Sequence, residues 1–185
     1  MPITGSCRQQ RGLQGVCVET IDRDGINQYL TFKLGDELFA VTVANIKEVL
    51  EVPRITHVPR MPEFLNGVFN LRGNIIPLLD LKMKFGIGQT ITGEDTGVIV
   101  TEIGKVFSDE DDSGVTIGLL SDEVQKVVTI EPDQIQPPPR IGVSIETGFI
   151  IGMGELEEGF VIILNINKIL SETELVTGKS RRSSL

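Results

Sequence analysis

Few residues in this chain could do chemistry. His57 is the sole histidine of 185 residues and stands among prolines, in Pro53-Arg54-Ile55-Thr56-His57-Val58-Pro59. A Ser-His-Asp or Cys-His nucleophile would need it as base, yet no Gly-x-Ser-x-Gly elbow accompanies it. An inert surface histidine is the simpler reading. Cys7 and Cys17 lie together in the leading segment, with no third cysteine or nearby histidine. They read as incidental thiols rather than a metal or redox pair. The acidic run Asp109-Glu110-Asp111-Asp112 lacks the twelve-residue spacing of a calcium loop and reads as a solvated hairpin tip. Gly86-Ile87-Gly88 and Gly152-Met153-Gly154 have neither the third glycine nor a Walker-type lysine, which counts against a nucleotide. No catalytic residue, metal ligand set or cofactor is expected. Arg72 is different: it precedes Gly73 in a turn, and its planar fork suits a carboxylate.

The elements that position these residues are mostly strands. Tyr29–Leu34 and Leu38–Val43 are β-prone runs about a Gly35-Asp36-Glu37 turn. Ala44–Leu50 fits one helical turn or more, or a bent strand. Met61–Leu65 reads as a short helix entry, with Pro62 near its first position. Ile75–Leu81, Gly97–Ile103, Val115–Leu120, Val124–Ile130 and Phe160–Ile166 are strand-length apolar runs. Lys105–Gly114 reads as an acidic hairpin loop, Pro137–Pro139 as a rigid extended connector, and Asn165–Glu174 as a short helix. Residues 1–27 read as a mobile tail, and 176–185 as a solvated basic one.

Composition sets outer limits. Hydrophobic residues make up 40% and the formal net charge is −9, which fits a globular protein and argues against a nucleic-acid partner. The longest apolar run, Phe160–Leu164, is strand-sized, so no membrane insertion is expected. The leading segment has no apolar secretory core, and a reducing, cytoplasmic compartment fits the cysteine usage.

The chain also contains a repeat. Phe64 laid on Phe149, an offset of 85, brings Gly67 to Gly152, Leu71 to Leu156, Ile75–Leu79 to Phe160–Leu164, Asp80 to Asn165, Leu81 to Ile166 and Phe85 to Leu170. Upstream, Phe39–Val52 falls on Ile117–Ile130 at an offset of 78. The difference of seven residues falls in an insertion near the prolines. Two copies of one small β unit follow, each too small to bury a good core alone. Short strands with Gly-rich turns point to small barrels. Asp80 and Asn165 end equivalent strands and suit capping of the next turn. Gly67 and Gly73 suit positive φ or close backbone approach. Arg72-Gly73-Asn74 faces Glu157-Glu158-Gly159 across the repeat. Diverged turns on a shared scaffold imply asymmetric surfaces, hence two different partners.

The segment Gly67-Val68-Phe69-Asn70-Leu71-Arg72-Gly73-Asn74-Ile75-Ile76-Pro77-Leu78-Leu79-Asp80-Leu81 resembles the signature of the chemotaxis coupling proteins, the CheW family, at every fixed position. Support runs from about Asn27 to Leu170. The resemblance implies a mainly all-β fold of two intimately packed five-stranded SH3-like β-barrels with short helices. The CheW-like domain would span 28–175, with one barrel from 28 to about 90 plus C-terminal elements and the other from about 91 to 160. It implies a non-enzymatic adaptor between the regulatory domain of the histidine kinase CheA and the cytoplasmic helical tip of chemoreceptors. Receptor contact would fall in a groove between the barrels, at Val43, Ile46, Glu48 and Arg72. Arg72 would pair with Glu48, either orienting the groove wall or simply holding a loop. Ile55 would face the kinase, whose contacts use barrel ends. Gly67, Gly73 and Asp80 would be structural. The same role in a pilus-motility or other non-flagellar array is the alternative. A small β-barrel enzyme or ligand-binding domain is opposed by the lack of a convergent polar constellation.

Overall fold

The computed structural model describes residues 27–104, 114–139 and 147–170. The two tails, both cysteines and nearly all of the acidic hairpin lie outside the described residues. Eleven strands are described: β1 (Gln28–Leu34), β2 (Glu37–Thr42), β3 (Ile46–Glu51), β4 (Leu65–Leu71), β5 (Asn74–Asp80), β6 (Gly97–Ile103), β7 (Val115–Ser121), β8 (Glu123–Thr129), β9 (Ile135–Gln136), β10 (Ile150–Leu156) and β11 (Gly159–Leu164). Two single-turn helices, α1 (Leu81–Lys84) and α2 (Ile166–Ile169), follow β5 and β11.

The strands form two sheets, ordered β8-β1-β2-β11-β10-β9 and β3-β6-β7-β5-β4. Each closes on itself. The chain leaving β3 returns at Thr56 to bridge Val68 of β4, and the chain leaving β8 returns as the two-residue β9 on β10. The barrel interiors are small and apolar. Phe69, Ile76, Leu78, Val98, Val100 and Leu120 fill one; Ala40, Ile130, Val161 and Ile163 fill the other. A larger cluster lies between them, among it Phe32, Phe39, Val41, Leu79, Leu81, Ile99, Leu119, Leu164 and Ile166. Fully burying such a side chain contributes about 1.5–3 kcal/mol. The shared layer therefore holds most of the cohesion, and the barrels are intimately packed on it. A row of rings, Phe32–Phe39–Phe85 stacked and Phe149 tilted at its end, with centroids 5.9–6.1 Å apart, runs through this layer.

The repeat is visible residue for residue. Moved by 85, β4, β5 and α1 land on β10, β11 and α2. A register shift between Leu65 and Gly67 recurs between Ile150 and Gly152. The Asp80 N–H donates to the Phe64 carbonyl at 2.8 Å, and the Asn165 N–H to the Phe149 carbonyl at 2.7 Å. With Leu78 moved by 85 to Ile163 and Ala40 by 78 to Gly118, the parallel pair Leu78–Gly118 matches Ile163–Ala40.

The barrels do not divide the chain as chain order suggests. One consists of β3–β7, the continuous stretch 46–121; the other joins 28–42 to 123–164. The expected partition at about residue 90 is therefore replaced. The two copies exchange strands: each barrel takes the first two strands of one copy and the later strands of the other, β3–β5 in the five-stranded sheet and β8–β11 in the six-stranded one. The parallel pairs β5–β7 and β2–β11 are the joins. Exchange lets both copies build both barrels on the shared apolar layer.

Two local expectations are corrected or settled. Met61–Leu65 is not a helix; a turn with the Leu65 N–H on the Pro62 carbonyl leads directly into β4. Ala44–Leu50 becomes a short 3-10 turn, Val43–Asn45, followed by β3. β4 and β10 were not apparent as strands, because Asn66, Gly67, Gly152 and Gly154 dilute their β-propensity.

Candidate functional site

β4 and β5 meet in a two-residue turn, Leu71 pairing Asn74, with Arg72 at φ +50° and Gly73 at φ +90°. That is the primed hairpin turn whose twist matches the strands, and it favours Asn or Gly at both central positions. Gly73 also donates its N–H to the Asn70 side chain at 3.0 Å. An arginine there costs about 1 kcal/mol of backbone strain, so turn formation alone does not account for it. Its guanidinium Nη2 lies 3.0 Å from Glu48 Oε2 on β3. The Arg72 side chain is 77% exposed and that of Glu48 22%. As β3 and β4 are the two edges of their sheet, the pair straps the barrel shut where the sheet closes.

Ile46 stands two residues before Glu48, but a register shift between them breaks the strand's alternation. Ile46 and Val49 therefore pack against the shared layer, whereas Leu50 packs into the barrel interior. Ile46 is only partly buried and marks the seam between the barrels. Val43 is different: it is buried within the shared core and offers no surface to a partner, so it leaves the set of groove residues. Ile55 is half-buried against the barrel core, and its Cγ2 would lie 2.8 Å from a Cβ placed on Gly67. It packs the strand return before it presents anything outward.

The structure places Gly67 at φ +137°, against the Thr56 carbonyl. Asp80 is buried. Its Oδ1 accepts from Lys82 N (3.0 Å), Met83 N (3.4 Å) and Thr90 Oγ1 (2.9 Å), and its Oδ2 from Thr90 N (2.8 Å). It caps α1 and ties down the loop before β6, a framework task. Among the described residues no three His, Cys, Asp or Glu side chains group as a metal site.

One relation was hidden in the sequence. Moved by 78, Glu48 falls on Lys126, and moved by 85, Arg72-Gly73 falls on Glu157-Glu158. In the other barrel Lys126 Nζ lies 2.6 Å from Glu158 Oε1. A strap of opposite polarity thus stands at the corresponding turn, with Glu158, the equivalent of Gly73, reaching across one position past the equivalent of Arg72. Lys126, by its hydrogen bond first and its charge second, holds the Glu158 carboxyl below the ordinary glutamate value. A depressed carboxyl contributes stability above its unfolded value and loses it as pH falls through the folded one. This pair is exposed, so its energetic effect is small. Carbon-detected NMR titration is expected to show Glu158 titrating below the ordinary range, and Lys126→Ala to return it; an unmoved midpoint in the variant would refute the strap.

The barrel ends carry a further feature that strand patterning obscured. Ile75 and Phe160 occupy equivalent positions beside the two turns and are 73% and 62% exposed. Phe160 borders a shallow pocket of about 300 Å³ with Pro137, Pro139, Met153 and Gln136. Both residues sit in runs that read as interior strand, so only the paired register separates them from the core.

Comparison with known proteins agrees with this architecture. A family model, the CheW-like domain, matches residues 28–174. The chemotaxis protein CheW of Klebsiella aerogenes is 32% identical over 148 residues, covering 80% of this chain and 84% of that one. CheW of Helicobacter pylori is 30% identical, covering 82% and 86%. The crystal structure of the scaffolding protein TtCheW from Thermoanaerobacter tengcongensis superposes with a TM-score of 0.68 at 34% identity, covering 77% and 86%. With the signature turn, the double barrel and the match over nearly all its described length, the chain belongs to the CheW-like domain family.

Proposed function

We propose that the chain is a non-enzymatic, cytoplasmic chemotaxis adaptor that holds the CheA regulatory domain and the helical tip of a chemoreceptor at the same time. The observation that carries this reading is the polarity reversal between the straps at the two corresponding turns. A duplicated scaffold that served one partner twice would present like ends; Glu48–Arg72 and Lys126–Glu158 present unlike ones. Family membership supplies the partner classes. The receptor helix would lie along the seam at Ile46, an apolar groove being a common way to accept a helix. Glu48 and Arg72 would form its polar edge, and the kinase would use the barrel ends, where Ile55, Ile75 and Phe160 lie. Whether the array drives flagella or pili is decided by gene neighbours.

Calorimetry with a receptor-tip helical fragment and with the kinase regulatory domain tests this. Ile46→Asp places a charge in an apolar contact and is expected to weaken receptor binding at least tenfold, in line with the several-kcal/mol cost of burying an unpaired charge, while kinase binding persists. Arg72→Glu is expected to weaken receptor binding, and the exchanged pair Glu48→Arg with Arg72→Glu to restore it. Unchanged receptor affinity in Ile46→Asp would remove the seam from the account.

A further inference from the structure

The chain crosses between the barrels twice, through Val43–Asn45 from β2 to β3 and through the single residue Asp122 from β7 to β8. Asp122 is tied on every side. Its N–H donates to the Lys33 carbonyl at 3.1 Å. Its Oδ2 accepts from the Gly35 N–H at 2.6 Å and lies 3.1 Å from Lys82 Nζ. Gly35 sits in the β1–β2 turn of one barrel, and Lys82 in α1, which follows β5 of the other. The Lys82 and Asp122 side chains are only 17% and 25% exposed, so salt screens them less than a surface pair.

The repeat supplies a counterpart. An offset of 85 lays Lys82 on Asn167 in α2. Asn167 Oδ1 accepts from the Gly104 N–H at 2.9 Å, and Gly104 follows β6 as Gly35 follows β1. In both places the second residue of the short helix after β5 or β11, on one barrel, serves the glycine amide that ends a strand of the other. Asparagine does so directly. Lysine has no acceptor, so on that side the Asp122 carboxylate stands between. An offset of 78 lays Asp122 on Ala44, which has no polar side chain, so the neutral contact has no such intermediary.

We infer that Lys82–Asp122–Gly35 and Asn167–Gly104 are a pair of latches that set the angle between the barrels, with Asp122 as the positioning residue. The layer between the barrels is apolar, and hydrophobic attraction is non-directional. Its packed side chains hold the barrels together, and hydrogen bonds of defined geometry at the crossings add a directional constraint on their rotation. The consequence for a helix in the seam rests on the proposed groove, since Ile46 follows directly on the first crossing. The latch itself does not rest on that proposal.

Spin–spin distance measurements test it. Cys7 and Cys17 are replaced by serine, and labels placed at Glu51 and Asp133 report across the barrels, with Asp133 and Glu155 as a within-barrel control. In Asp122→Ala with Asn167→Ala the cross-barrel distribution is expected to broaden or shift by several ångström while the control stays narrow. Asp122→Asn, which keeps an acceptor for Gly35 but no charge for Lys82, is expected to lie between. Should the double variant not fold, Lys82→Met, which keeps the Gly35 contact, decides by the same readout. Receptor-fragment affinity is expected to fall about tenfold in the double variant, the scale of a well-made directional contact. An unchanged cross-barrel distribution in these variants overturns the latch, whatever happens to binding. A changed distribution in a protein whose wild type binds no receptor fragment leaves the latch standing and removes the groove.

Discussion

Replacing Gly67 with alanine is expected to lower the melting temperature by about 10 °C, from a loss of about 3–5 kcal/mol. Two costs combine. Alanine is strained at φ +137°, at about 1–3 kcal/mol. Its Cβ would also sit 2.5 Å from the Thr56 carbonyl oxygen and 2.8 Å from Ile55 Cγ2. The first of these is backbone, and it is bound: the Thr56 carbonyl accepts from the Val68 N–H at 2.9 Å, and the Thr56 N–H donates to the Val68 carbonyl at 2.8 Å. Relieving the clash must break the bridge that closes the barrel and lift Ile55 from its core. Gly152 is the internal control. Its Cβ would meet Ile135 Cγ2 at 2.6 Å and the Gln136 carbonyl at 2.7 Å, the same closure in the other barrel without a left-handed φ. Gly152→Ala is expected to destabilise less than Gly67→Ala. Gly73→Ala, with open space around its Cβ, is expected to cost about 1 kcal/mol from φ alone. Thermal and urea unfolding of the three variants rank them. Equal stability of Gly67→Ala and wild type would mean that the strand return is not held as described.

Asp80→Ala is the second large effect. The carboxylate is buried and serves α1 and Thr90 together. Removing it uncaps the helix and leaves the buried Thr90 N–H without an acceptor, at about 3 kcal/mol in all. Asp80→Asn separates the parts. The amide oxygen can still serve α1 and Thr90 Oγ1, but its NH₂ then faces the Thr90 N–H, donor against donor. An intermediate loss of about 1–2 kcal/mol is expected. The reverse change, Asn165→Asp, meets the Asn167 N–H alone among the described residues and is expected to be nearly neutral. Denaturant unfolding of the set checks the order Ala, Asn, wild type. Hydrogen exchange is expected to place the extra opening of Asp80→Asn at Thr90.

The sequence carried most of the strand positions, because apolar runs such as Gly97–Ile103 and Phe160–Leu164 are buried on at least one face and bounded by turn residues. It also carried the duplication, whose offsets of 85 and 78 map strands, a register shift and a helix cap onto their counterparts. Strand exchange left no local trace. Chain order pairs β3 with β1 and β2 as naturally as with β6, and only the closure of two barrels on one apolar layer decides. The Glu48–Arg72 contact could be anticipated from the signature, while its mirror at Lys126–Glu158 needed both offsets at once. Val43 illustrates the opposite difficulty. An apolar residue beside Ile46 reads equally as groove or core, and the 3-10 turn that rotates it inward is too short to leave a period. Asp122, Lys82 and Thr90 gave no signal, since each acts on a residue brought near by the fold.

The central claim is that one small protein holds two partners at once on unlike faces. Light scattering coupled to size exclusion tests it most directly, on the full chain mixed with the kinase regulatory domain and a receptor-tip helical fragment. The account predicts a complex containing all three components, with the receptor fragment lost and the kinase domain kept when Ile46→Asp replaces the wild type. Mutually exclusive binding, each partner displacing the other from the wild-type protein, would contradict it.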